Sequence, residues 1–142
     1  MDSDEFIRHI QQIDVEAEAQ KVLKQHTKNA ADLNRDQLKK GFDANGERLK
    51  PYKNARYASY KNTKNPLPGL GNPDLILSGS FTKSIYSEVT DTDIVLKATD
   101  RKTADLVDKY SDSILDISQE SVSTFTDIIR STFENEIQKY FQ

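Results

Sequence analysis

The chain has no cysteine, only two histidines, five glycines and four prolines. The missing cysteine excludes disulfides, thiolate zinc sites, iron–sulfur clusters and cysteine nucleophiles. His9 and His26 lie too far apart for an i, i+4 metal pair on a helix, and no zinc-protease pattern surrounds them. Both are expected to be surface or partly buried helix residues. Nowhere does an apolar run reach the ~18 residues that a membrane-spanning helix requires. No basic start leads into an apolar stretch, so no secretory signal is read. The expectation is a soluble, non-secreted protein without a cofactor.

What is present is enough for a core. Phe, Ile, Leu and Val make up about a quarter of the 142 residues, above the level of disordered chains. With 30% of residues charged, that core is modest. The length suits one domain over 1–142. The net charge of −3 is unevenly spread. Residues 1–34 carry net −3, residues 35–64 net +6 and residues 65–142 net −6. A positive segment between two negative ones can attract the acidic face of another copy, or a phosphate backbone.

All glycines and prolines fall between Gly41 and Gly79, so both flanks are free to form long regular elements. In the first flank, Phe6, Ile10, Ile13 and Ala17 recur at helical spacing. Ala19, Val22, Leu23, Ala30 and Leu33 continue the stripe, which blurs near Thr27–Asn34, and Leu38 extends it to a stop at Gly41. One helix or two abutting helices are predicted over about 4–40, within a helical region 1–41. The second flank is cleaner. Ser118 is a good N-cap, and Val122, Phe125, Ile129, Phe133, Ile137 and Tyr140 follow at spacings of three or four. This predicts a C-terminal helix within 118–141. Between the flanks, Ser84–Val89 and Asp93–Ala98 predict a β-hairpin over 84–98, and residues 102–112 a short helix. Residues 47–73 read as a long, extended, basic loop bearing tyrosines, and such loops are usually functional or mobile.

Several stretches invite a chemical reading. Asp43-Ala-Asn-Gly-Glu47 suggests calcium, but the glycine stands fourth and Asn54 occupies the place of the bidentate glutamate, so a tight turn at Asn45-Gly46 is preferred. Gly69-Leu-Gly71 lacks the third glycine, the strand and the helix of a dinucleotide loop, and an extended loop is preferred. The carboxylate clusters Asp91/Asp93, Asp105/Asp108/Asp112 and Glu134/Glu136 read as solvated turns and helix faces rather than a glycosidase pair. Within Arg48–Lys61, cations interleave with Tyr52, Tyr57 and Tyr60. That pattern can pair with phosphates and stack on bases, although the pI of about 5.4 is unlike that of a basic nucleic-acid-binding domain.

Leu38-Lys-Lys-Gly-Phe-Asp-Ala-Asn-Gly-Glu-Arg-Leu-Lys-Pro-Tyr52, followed by Leu75-Ile-Leu-Ser-Gly-Ser-Phe-Thr-Lys-Ser-Ile85, resembles the tail-completion (virion morphogenesis) proteins of tailed bacteriophages. Those proteins carry a helix ending in a phrase like F-x-x-x-G-x-x-W-x-P-L, a Lys/Thr-rich stretch, I-L-x-x-S/T-G-x-L-x-x-S-I and a hairpin. A phrase like G-L-S-x-E then opens a C-terminal helix, where this chain has Leu115-Asp-Ile-Ser-Gln-Glu120. Leu49 stands where the family often has Trp and Phe81 where it often has Leu, and the family's phrases after the hairpin are missing. The resemblance implies a non-enzymatic structural protein of the virion, a head–tail joining adaptor that forms a homo-oligomeric ring in the neck. Its partners would be portal or connector and tail proteins, with DNA nearby and no membrane.

The expected fold is α+β, with long N- and C-terminal helices on a small antiparallel sheet and a long basic loop. Leu49, Pro51, Leu75 and Leu77 are expected to anchor that loop, and Ser80 to cap a short turn. Arg48, Lys50, Lys53, Arg56 and Tyr57 are the expected interaction residues, contacting another protein subunit. The alternative is a nucleic-acid-binding module using loop 47–64, and an endolysin-like enzyme is a distant third. Phe125, Ile129 and Phe133 should face the sheet and the N-terminal helix. Truncating Phe133 to Ala is then expected to cost ~3–5 kcal/mol, read as a fall in Tm.

Overall fold

The computed structural model describes residues 2–66, 71, 75, 79–91 and 93–142. It is α+β. The helices are α1 (Ser3–Gln11), α2 (Val15–Gln25), α3 (Thr27–Lys39), α4 (Ala55–Lys64), α5 (Ser80–Lys83), α6 (Thr103–Tyr110) and α7 (Gln119–Gln138). Strands β1 (Ile85–Thr90) and β2 (Asp93–Ala98) form the antiparallel hairpin, in the register Ile85 opposite Ala98 and Thr90 opposite Asp93. Short 3-10 turns cover Asp112–Leu115 and Lys139–Phe141.

The N-terminal region holds three helices, where one or two are expected. Asp2 opens α1 with a capping box, its carboxylate accepting from the Glu5 N–H. Asp14 opens a new helix as a simple N-cap, its side chain accepting from the Ala17 N–H. His26, at φ −116°, breaks the backbone between α2 and α3. Helix α3 ends in a Schellman motif: the Phe42 N–H donates to the Gln37 carbonyl and the Gly41 N–H to that of Leu38. Gly41 takes φ 86°, which a side chain would make costly.

The core gathers around α3 and the hairpin. Ala31, Leu38, Leu49, Phe81, Ile85, Leu96, Tyr110 and Ile114 form one buried cluster, with Leu75, Leu106 and Val107 packed against it. The strands follow the two-residue period: Ile85, Ser87 and Val89 are covered, while Tyr86, Glu88 and Thr90 are exposed. The blurred stripe of α3 has a physical cause. Asn34 and Gln37 are buried there, because they bond backbone rather than water. The Asn34 amide donates to the carbonyls of Ile114 and Asp116, at 3.0 and 3.2 Å. Gln37 donates to the Asp116 carbonyl and accepts from the Ser118 N–H, at 3.0 and 2.8 Å. Arg35 donates to the carbonyls of Thr82 and Ile85.

Helix α7 starts at the predicted Ser118 cap, which accepts from the Ser121 N–H. It packs mainly along α2, with a smaller contact to α3, so it meets the N-terminal helices as expected but makes no comparable contact with the sheet. Phe125 is buried, but Ile129 and Phe133 are only half-buried. Along this seam Glu136 accepts from Lys21 at 2.7 Å and from Lys139 at 2.8 Å. The Tyr140 hydroxyl donates to Glu18, and His26 Nε2 meets the Thr132 hydroxyl at 3.0 Å. Hydrogen bonds from Lys139 and Lys21 hold the Glu136 carboxyl below the usual glutamate range, and the bond to Glu136 raises Lys21.

Two outcomes follow. Phe125→Ala should cost ~3 kcal/mol or more and Phe133→Ala clearly less, compared by thermal unfolding. Because Glu136 is depressed, its contribution is present above the ordinary glutamate pKa and is lost as pH falls through the lower folded value. Urea midpoints of Glu136→Gln should therefore vary less with acid pH than those of the natural chain.

Candidate functional site

Residues 42–54 build one wall of the site. After α3 the chain turns back on itself, with an isolated bridge between Phe42 and Arg48. One Asp43 carboxylate oxygen accepts from the Asn45 and Glu47 N–H groups, and Gly46 takes φ 76°. This is the tight turn read from the sequence. Among the described residues no group of three or more acidic or histidine side chains could hold a metal ion. The turn delivers Leu49 into the core at 3% exposure, whereas Pro51, an expected anchor, is exposed. The other Asp43 oxygen accepts from the Ser113 hydroxyl at 3.2 Å, and the Ala44 N–H donates to the Ser113 carbonyl at 2.9 Å. These bonds tie the basic segment to the end of α6.

The expected extended loop 47–73 is corrected by α4. Asn54 caps this helix, accepting from the Tyr57 N–H at 3.1 Å. It carries no apolar stripe to reveal it, because its buried positions are Ala58 and Lys61. A short side chain and a lysine do not read as a core face. The other end of the loop carries Leu75, half-buried against the core, while Leu77 and most of Gly69-Leu-Gly71 lie outside the described residues. Ser80 is the first residue of α5, and Gly79, at φ 83°, takes the cap position.

All five expected interaction residues are exposed. The structure brings three of them together. Lys50, Lys53 and Tyr57 line a groove of about 520 Å³ with Pro51, Tyr52 and Asn54, facing Lys109 and Tyr110 of α6. A smaller hollow of about 180 Å³ continues from it past Leu75, Phe81, Lys102 and Leu106. Arg48 and Arg56 lie outside the lining. The Arg48 guanidinium sits 4.8 Å over the Phe42 ring. Tyr52 and Tyr57 meet edge to face at 5.1 Å, and the Lys109 ammonium lies 5.2 Å from the Tyr110 ring centre. Among the described residues neither lining contains a carboxylate. Burial raises the Tyr110 phenol above its ordinary pKa, so it stays neutral.

Sequence reading missed the α6 wall. Lys102, Leu106 and Lys109 recur at i, i+4 and i+7, but they are interleaved with Asp105, Asp108 and Asp112. The segment therefore reads as acidic until the helix separates the two sets. A second, larger and more polar cleft of about 800 Å³ lies at the start of α7, with Asp36, Asp43, Lys40, Gln37, Ser118 and Glu120 in its lining. Among the described residues no helix is long and apolar enough to cross a membrane. No protein-family model, curated protein or solved structure matches this chain.

The groove separates scaffold from surface. Tyr57→Ala, at a position 40% exposed, should change stability by about 0.5 kcal/mol or less. Tyr110→Ala, at 8% exposure, should cost ~3 kcal/mol or more. Urea unfolding of both variants checks the contrast.

Proposed function

We propose that this chain is a structural, non-enzymatic virion protein of a tailed phage, a head–tail joining adaptor that assembles as a homo-oligomeric ring in the neck. The family likeness of residues 38–52 and 75–85 supplies the biological setting. The observation that carries the binding role is the groove itself: a concave surface of lysines and tyrosines, free of carboxylates among the described residues, on a chain of net charge −3. Such a surface attracts acidic protein surface and offers aromatic area for a packed contact. A ring needs two different faces that meet head to tail, and the charge division along the chain provides opposed ones. Portal or connector and tail proteins are the further partners of this reading. Arg48, Lys50, Lys53, Arg56 and Tyr57 are its contact residues, now joined by Tyr52 and Lys109.

A second reading has its own support. Tyr52 and Tyr57, with Lys50, Lys53 and Lys109 beside them, could equally stack bases and pair phosphates of a single strand. One double variant separates the two. Lys53→Glu with Arg56→Glu should stop heads from joining tails while the isolated chain keeps its Tm, since both side chains are exposed. If instead the natural chain binds single-stranded DNA with a steep salt dependence that the variant loses, the nucleic-acid reading replaces the ring adaptor. Infectious particles from the double variant would remove these residues from the joining surface.

A further inference from the structure

The groove is concave, so its occupant must protrude. The same chain has one element suited to that. Helix α1 buries none of its residues, and Phe6, Ile7 and Ile10 are 49%, 50% and 47% exposed. Positions 6 and 10, like 7 and 10, are one helical turn apart, so the three form one apolar face. The helix rests against the C-terminal 3-10 turn. Phe6 stacks on Phe141 with ring centres 5.5 Å apart, and His9 meets the same ring edge-on at 5.6 Å. An apolar cluster left open on a chain this charged marks a contact surface. Its first turn is acidic, with Asp4 and Glu5 following the Asp2 cap.

We propose that α1 of one copy docks in the Lys50/Lys53/Lys109–Tyr52/Tyr57/Tyr110 groove of the next copy. This rests on the self-association part of the ring reading and names its contact. The match is twofold. Phe6, Ile7 and Ile10 meet aromatic walls, in the manner of an amphipathic helix anchored in a groove. Asp2, Asp4 and Glu5 meet three lysines in a lining whose described residues include no carboxylate. A hollow of about 520 Å³ is in the range that takes a drug-sized ligand, roughly the bulk of two or three side chains. The larger cleft at the start of α7 is concave too, and two concave surfaces do not mate. Since α1 and the groove are different surfaces, the contact is head to tail and repeats from copy to copy.

The absence of native cysteine makes the test direct. Full-length Ile10→Cys and Tyr57→Cys chains are mixed under oxidising conditions, with light scattering of the natural chain and imaging of particles in parallel. Both sites are exposed, so the variants should fold. The expected product is a covalent pair joining one chain of each kind, well above the pairs each variant forms alone. Adding Asp4→Lys and Glu5→Lys to the first chain should lower its yield by ~10-fold, equivalent to about 1.4 kcal/mol. Adding Lys50→Glu and Lys53→Glu to the second should restore it. Absence of the mixed pair while the natural chain still forms multimers, free or on particles, would overturn the α1 contact and leave the ring reading standing. Absence of both the pair and any multimer would overturn the two together. A mixed pair indifferent to charge reversal would overturn recognition by these carboxylates and lysines.

Discussion

The amide side chains of Asn34 and Gln37 hold the connection between α6 and α7 in place. Both sit in the buried face of α3, and their donors meet the carbonyls of Ile114 and Asp116. Gln37 also accepts from the Ser118 N–H, next to the first turn of α7. The segment 111–118 has little regular structure to satisfy its own backbone, and a buried carbonyl without a partner costs roughly 1–3 kcal/mol. The amides remove that cost and at the same time fix where α6 ends and α7 begins. Arg35, on the same helix, does the equivalent for the carbonyls of Thr82 and Ile85 at the entrance to the hairpin. One helix thus sets the place of the sheet, of α6 and of α7.

The groove is a consequence of that arrangement. Its α6 wall is positioned through the segment that α3 holds. Its other wall is positioned through Leu49 in the core and through Asp43, whose carboxylate closes the turn and accepts from Ser113. Asp43 is therefore a structural acid beside a basic surface, with both oxygens engaged. The exposed lysines Lys50, Lys53 and Lys109 line the groove together with tyrosines. A different arrangement holds at α2 and α7, where Glu136 is bonded to Lys21 and Lys139 within the chain. Charges that stabilise the fold and charges available for contact occupy different surfaces.

Element types are legible in the sequence where periodicity and caps agree: the hairpin, the Ser118 start of α7, the stop at Gly41 and the turn at Asn45-Gly46. These are local signals, and each is carried by a few neighbouring residues whose backbone preferences do not depend on distant contacts. The sequence also placed the positive charge and three of the groove residues, Lys50, Lys53 and Tyr57. The burial of polar residues and the company the charges keep come from long-range packing instead. Asn34, Gln37 and Lys61 are polar in sequence yet buried, which blurred α3 and hid α4. Lys109 and Tyr110 join the groove because the Asp43–Ser113 bonds bring α6 to the loop. Helix α7 lies on α2 rather than on the sheet because its start is fixed by α3 and its end by Glu18 and Lys21. These outcomes depend on hydrogen bonds between residues 70 to 122 positions apart, and no window of sequence contains both partners.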